Sequence, residues 1–426
     1  MQAFRAIFRH PGTVRMTIAG FVGRFPMAML GLAMTLLVVA ETGSYATAGI
    51  VAASITLAGA VGGPLGARLA DRFGQHRAIP PLISIHVLAV AGLTLAVMSG
   101  SPVPLWLGLG MVAGLSGPNI GAMVRARWAG ITRGSRELTS AFALESTLDE
   151  VAFVLGPPLA TTLAVLVAPW SAIATGLLLA TSGALALAAQ RSTEPRPAPR
   201  AARRGAPIWR SGILQVLTLL MVLMGAIFGA LEVATVAFAQ ERDAVGATGW
   251  LLGIFALGSG LTGLYLGARP GGWPLARQVL LGTAALALAT AVLPFVDGLL
   301  AFGIGMFAAG LGVSAVMISA MQVIERALPR PRLTEALALA ISGVLVGSAA
   351  AVALAGALID RGGSAWGLAV GSVAAAGSLV LAAVAHGHLS RASGPRPTPA
   401  LAEAHPVTDE PAVAPAGQAC GTTPPG

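Results

Sequence analysis

The residues of this chain with most chemistry to offer are three acids inside an apolar stretch. Leu138 to Val167 reads LTSAFALESTLDEVAFVLGPPLATTLAVLV, with Glu145, Asp149 and Glu150 within it. At the middle of a bilayer-crossing helix an acid costs roughly 2.5–3.5 kcal/mol, so three unpaired acids cost about 7–11 kcal/mol. The Leu, Val and Phe side chains of the stretch return roughly 0.3–0.6 kcal/mol each, about 4–8 kcal/mol together. The segment is therefore marginal alone and must draw partners or water from neighbouring helices. Ionisable groups in that position usually mark an ion or substrate pathway. Glu145 and Asp149, four apart, share one helical face, while Glu150 points about 100° away. Crowded carboxylates favour holding a proton and a nearby arginine favours releasing it. Such a group can exchange a proton between two states, or the charges can be a static cluster that fixes helix packing.

A possible counter-charge lies far away in sequence. Arg24 sits about ten residues into the first apolar stretch, roughly 15 Å deep at 1.5 Å per residue. Asp149 is at a similar depth in its own stretch. Within the same stretch Gly156-Pro157-Pro158 predicts a break, because proline removes a backbone bond and small neighbours permit bending. The other polar candidates inside apolar stretches are Glu232, Asn119, Ser116 and His86. Glu232 could meet a cationic substrate or pair near the interface. Asn119 and Ser116 could line a cavity, although a helical serine also bonds back to its own backbone. His86 reads as a packing group satisfied by a neighbour.

Several chemistries are excluded. The single cysteine, Cys420, rules out an internal disulfide framework and a thiolate metal cluster. A nucleotide-binding GxxxxGK[ST] loop is impossible in a chain without lysine. No HExxH, CxxC or GxSxG supports an enzyme. Neither a metal nor another cofactor is expected.

The elements that must position these groups follow from composition. Of 426 residues 55% are apolar and 10% charged, with mean hydropathy +0.80. A soluble domain carries about 25% charged residues, so this chain could not cover its surface with polar groups. Apolar runs recur at roughly 14–40, 46–70, 79–99, 104–127, 138–167, 170–190, 211–239, 247–268, 275–296, 298–324, 334–359 and 364–387, twelve spans long enough to cross a bilayer. The net charge of +9 could suggest a nucleic acid partner, but its placement argues against one. All 26 basic residues are arginine, and 23 lie in the N-terminal segment, after even-numbered spans or in the tail. The exceptions are Arg24, Arg242 and Arg361. By the positive-inside rule both termini are cytoplasmic. The seven tryptophans fall at or beside span ends, as an interfacial belt predicts. Residues 191–210, rich in Arg and Pro, read as a flexible linker dividing the spans six and six. A weak repeat spans that divide. AGIVAASITLAGAVGGPLGAR from Ala48 aligns with TGWLLGIFALGSGLTGLYLGAR from Thr248, and LTSAFALES from Leu138 with LTEALALAI from Leu333. The matches pair span 2 with 8 and span 5 with 11, in the same direction through the membrane. The Pro-, Ala- and Thr-rich tail reads as disordered.

Twelve spans in parallel halves, with Asp71-Arg72-Phe73-Gly74 after span 2, resemble the major facilitator superfamily across about residues 14–387. In the loop from Ala67 to Arg77, the residues Leu69, Asp71, Arg72 and Gly74 fit the superfamily pattern. Ala67 stands where that pattern has Gly, and Gln75-His76 replace its basic pair, with Arg77 one place later. In the family this loop is a latch between the halves. The matching segment of the second half, from Gly267 to Gly272, has no acid. Gly156-Pro157 resembles part of the motif of the drug-antiporter branch, with Ala152, Ala160 and Thr161 in place of its other glycines. The branch's arginine within span 4 is missing; only Arg125 and Arg127, at its end, are present.

The resemblance implies an all-α integral membrane protein with 12 transmembrane helices in two parallel six-helix repeats, the major facilitator fold. It divides the chain into 1–13, bundle 14–190, linker 191–210, bundle 211–387 and tail 388–426. Spans 1 and 5 are neighbours in that fold, so Arg24 is expected to pair with Glu145 or Asp149, one of which carries the coupling proton. Met27, Met29, Met34, Met221 and Met224 lie on spans that border the family's cavity, where they could form a pliable wall or simply pack. The function implied is export, by a monomer in the plasma (inner) membrane, of a small lipophilic compound in exchange for protons. Symport uptake and a non-transporting sensor or scaffold are the alternatives. The expected partners are substrate, protons and the lipid bilayer.

Overall fold

The computed structural model describes residues 7–132, 136–195, 211–268, 273–328 and 330–392. Most of the linker, the tail beyond Ala392 with Cys420, and Trp209 lie outside these residues; the start of the tail, expected to be disordered, continues a short helix, His386–Ala392. The described chain is helical, and twelve segments are long and apolar enough to cross a bilayer. They are span 1 Thr13–Thr42, span 2 Tyr45–Phe73, span 3 Gln75–Met98, span 4 Val103–Thr132, span 5 Ser140–Leu166 and span 6 Ser171–Ala189, then span 7 Gly212–Gln240, span 8 Val245–Ala268, span 9 Leu275–Phe295, span 10 Leu299–Ala327, span 11 Ala336–Gly362 and span 12 Ser364–Val384. Their number and positions are those the apolar runs predict.

Two interruptions fall where the sequence reading did not put them. Span 1 stops at Arg24, makes a 3-10 turn over Phe25–Ala28, and resumes at Leu30–Thr42. Pro26 lacks the N–H that would continue the first helix. Span 4 is likewise split into Val103–Ser116 and Ile120–Thr132. Asn119 accepts the backbone N–H of Ala122 at 3.0 Å and so starts the second helix. Span 5, where Gly156-Pro157-Pro158 predicts a break, is instead one helix from Arg136 to Leu166 with both prolines inside it. Gly156 serves close approach: a Cβ there would come within 2.8 Å of Ala28 Cβ in the span-1 turn.

The first six spans meet the last six chiefly through span 2 against span 11 and span 5 against span 8. These are the spans the repeat pairs, now meeting crosswise. Glycines set the distance. A Cβ on Gly49 would strike the Val352 carbonyl, and one on Gly249 the Pro157 carbonyl. A group of hydrogen bonds joins the two sets at the face opposite the arginine-rich loops. There Asp360, in the last turn of span 11, accepts Tyr45 N at 2.8 Å, Ala46 N at 3.0 Å and Ser44 Oγ at 2.8 Å. Tyr45 donates its hydroxyl to Gln240 of span 7 at 2.6 Å. Asp360 thus satisfies orphan amides at the N-terminus of span 2, where a negative charge is also favoured by the helix dipole.

Candidate functional site

Ending span 1's first helix at Arg24 leaves its guanidinium buried, 3% exposed, against span 5. Arg24 Nη2 lies 2.6 Å from Glu145 Oε2 and Nη1 lies 3.2 Å from Asp149 Oδ1. Both pairings the depths allow are therefore made at once. Two further groups join from span 4. Arg125 Nη2 contacts Asp149 Oδ2 at 2.5 Å, and Trp128 donates its indole N–H to Glu145 Oε1 at 2.8 Å. Each carboxylate oxygen thus has its own donor or cation, and two acids balance two arginines. Gly121 borders the cluster: a Cβ there would lie in ordinary contact with it, 3.5 Å from Arg125 Nη1 and 3.9 Å from Arg24. The Arg24 contacts are charge contacts whose angles fall short of hydrogen bonds, so its nitrogens keep donor capacity. Pairing removes the cost that isolated acids would carry in a membrane.

Sequence reasoning missed Arg125 and Trp128 as parts of this cluster. The first reads as one more arginine at a loop-facing helix end. The second reads as a belt tryptophan, yet it is wholly buried. The signal available was their spacing, since residues three apart share a helical face. Trp106 also departs from the belt, being 4% exposed with its N–H donated to Ser101 Oγ at 2.9 Å.

The other candidates lie apart from the cluster. Ser116 bonds back to the Val112 carbonyl at 2.6 Å and is buried, so its hydroxyl is not offered to a cavity. Asn119 is exposed and its side-chain oxygen is used in capping. His86 meets the Ala113 carbonyl at 2.8 Å, a packing role. Met29, Met34, Met221 and Met224 belong to the buried core, whereas Met27 is 60% exposed. Glu232 in span 7 lies over span 1: a Cβ on Gly31 would be 3.4 Å from its Oε1.

In the latch-like loop Leu69, Asp71, Arg72 and Arg77 are exposed, and Arg72 stacks on the neighbouring Phe73 ring. Gly74 takes φ 85°, a left-handed value that glycine adopts without strain. The replaced basic pair works within the first six spans instead. Gln75 accepts from buried Arg127 at 2.7 Å, and Arg127 also donates to the carbonyls of Leu187 and Gln190 and to Thr193 Oγ. His76 contacts Glu194 at 2.9 Å, and its backbone N–H donates to the same carboxylate at 3.1 Å. Partial burial alone would raise the Glu194 carboxyl, but the His76 ring and the His76 and Gln75 amides outweigh it and hold it below the usual range. Among the described residues no group of three or more His, Cys, Asp or Glu is arranged to hold a metal ion.

The model of the Major Facilitator Superfamily matches residues 16–244, more than half of the chain. The chain belongs to the Major Facilitator Superfamily. Solved structures extend the likeness of fold over the rest. A mutant of the nucleoside transporter NupG shares a TM-score of 0.69 at 11% identity, covering 88% of this chain and 99% of that one. The POT family transporter PepTSo gives 0.69 at 12% identity, covering 89% and 98%. The human organic anion transporter MFSD10 (TETRAN) gives 0.62 at 17% identity, covering 88% and 100%. No curated protein sequence matches this superfamily member. It is a multi-pass membrane transporter, and a fold shared with transporters of such varied cargo leaves its own substrate to be argued from the site.

Proposed function

We propose that this transporter exports a small, lipophilic organic compound in exchange for protons, by alternating access. The observation that supports it best is the four-charge cluster of Arg24, Glu145, Asp149 and Arg125. Its Arg24 and Glu145 are buried in the first six spans, with Asp149 and Arg125 partly exposed beside them, in a chain held together at one face by Asp360. A static scaffold gains little from such a cluster, since an apolar replacement of similar volume is often as stable. On the positive-inside rule the arginine-rich face is cytoplasmic, in the plasma (inner) membrane, with both termini on that side. Bundles 14–190 and 211–387 then rock against each other, making and breaking the span 2–11 and 5–8 contacts, and the held face is extracellular. Export is favoured by the partial likeness of Gly156-Pro157 to the drug-antiporter motif; Gly156 packs span 5 on the span-1 turn, and the Pro157 carbonyl meets Gly249 of span 8. The transporter works as a monomer.

Proteoliposomes with a trapped pH dye decide the matter. A panel of lipophilic probes, including ethidium and tetraphenylphosphonium, is expected to contain at least one whose movement drives protons the opposite way. Glu145→Gln and Asp149→Asn should each uncouple that movement, because each leaves arginine in excess. Protons moving with the probe, or full coupling in both variants, would reject the proposal.

A further inference from the structure

Glu145 and Asp149 are matched by cations, and Glu150 is not. It is one residue from the cluster but on another helical face, and among the described residues it has no ion pair or hydrogen bond. That face is turned to the other six spans: a Cβ on Gly260 of span 8 would lie 3.3 Å from Glu150 Oε2. The contact line between spans 5 and 8 runs from Pro158 and Pro157, against Gly249 and Gly253, through Val154 to Glu150, against Gly260. Glu150 is the last of these toward the arginine-rich face. It is also near the middle of the helix Arg136–Leu166, about 21 Å from its start at 1.5 Å per residue. A carboxylate at mid-depth, half-buried and without a cation, costs roughly 2.5–3.5 kcal/mol in a bilayer, and a protonated carboxyl avoids most of that.

We infer that Glu150 is the group that carries the exchanged proton, with the Arg24–Glu145–Asp149–Arg125 cluster as its fixed, neutral setting. The inference rests on the proton-coupled reading above. Glu150 takes a proton from hydronium on the side open to it, one O–H bond forming as another breaks and leaves water. It keeps that proton while packed against span 8, and gives it to water on the other side once spans 5 and 8 part. The groups around it fit this role. Span 8 offers no charged side chain and only Tyr265 as a titratable one, five residues from Gly260. The span-1 turn, the 3-10 turn Val245–Ala247 and span 6 offer none. From the first helix of span 1 come Arg15 and Arg24, from its second only Glu41 at the far end, and from span 4 Arg125 and Arg127. Of these, Arg24 and Arg125 are matched by Glu145 and Asp149, and Arg127 is held by Gln75 and Thr193. Neutralising Asp149 would free a guanidinium beside Glu150 and tie its carboxylate in place, which is why Asp149→Asn should also uncouple transport.

The test reads the proton directly and needs no substrate. Infrared pH titration of the full-length protein in lipid should show a protonated-carboxyl band that appears as pH falls and shifts in heavy water. E150Q should lose a titrating component that E232Q keeps, and E150D, which keeps a carboxyl, should retain one. An unchanged band in E150Q, no titrating band in the wild type, or loss in E150D as well would overturn the assignment. In proteoliposomes loaded with a probe that the panel shows to be moved, E150Q should lose the acceleration by a pH gradient that E232Q retains; retained acceleration in E150Q overturns it too. Absence of proton movement in the wild type would reject the exporter reading instead, so the two failures are distinguishable.

Discussion

Asp360→Asn probes the closed face most directly. The carboxylate accepts two backbone amides and one hydroxyl at the start of span 2. Asparagine keeps one acceptor oxygen and presents an NH2 to the remaining amide, so one bond is lost and the survivors lose their charge assistance. A hydrogen bond to a charged group contributes about 1.5–3 kcal/mol and a neutral one about 0.5–1.5 kcal/mol. Loss of the charge beside a helix N-terminus adds about 0.3–1 kcal/mol. Because the Ser44 and Ala46 bonds are exposed, solvent competes and the expected net effect is about 1–2 kcal/mol, a shift of roughly 5–30-fold in the ratio of closed to open forms. Spin labels at Thr42→Cys and Ala365→Cys, with Cys420→Ser as background, report the separation of the two sets of spans at this face. The longer-distance population should grow by that ratio in Asp360→Asn. An unchanged distance distribution would refute the idea that this carboxylate holds the face shut.

Two further substitutions test the first six spans. Trp128→Phe keeps an aromatic ring but leaves the buried Glu145 Oε1 without its donor, at a cost of about 1–3 kcal/mol. Its thermal unfolding midpoint in detergent should fall, and an unaltered midpoint would show that this N–H contributes nothing. Glu194→Gln removes a carboxyl held below its usual range by His76 and Gln75. A depressed group stabilises the fold above its unfolded pKa, near 4.3 for a glutamate, and that contribution is lost as pH falls through the depressed value. The wild type should therefore exceed Glu194→Gln in midpoint at neutral pH and converge with it in acid, whereas a constant gap would assign the effect to packing.

The parts of the fold legible in the sequence are those that depend on local pattern. Span number and ends follow from apolar run length, and the common face of Glu145 and Asp149 from their spacing. The depth match of Arg24 is the same arithmetic applied twice. What was not legible depends on which face meets which neighbour. Arg125 and Trp128 carry the composition of a loop-facing helix end, and only the split of span 4 turns them toward Glu145. Pro157-Pro158 and Pro26 are the same residue type, yet only Pro26 ends a helix. The proline pair has span 8 packed on it through Gly249 and Gly253, and the helix continues. Asp360 looks like a loop acid, because its partners, two amides and a hydroxyl, are 314–316 residues away.

Glu150 lies between the two kinds of information. Periodicity alone separates it from Glu145 and Asp149, but periodicity cannot say what occupies the direction it points in. Among neighbours 1.5 Å apart along one helix, Asp149 meets two arginines and Glu150 meets a glycine of another span. The difference is one of angle, not of depth or residue type. A carboxylate turned toward a surface that must separate during alternating access has an environment that changes with each cycle, whereas one matched by arginines within the same six spans does not. Among the acids of span 5, that asymmetry singles out Glu150, rather than the better-paired ones beside it, as the carboxyl whose protonation the cycle can drive.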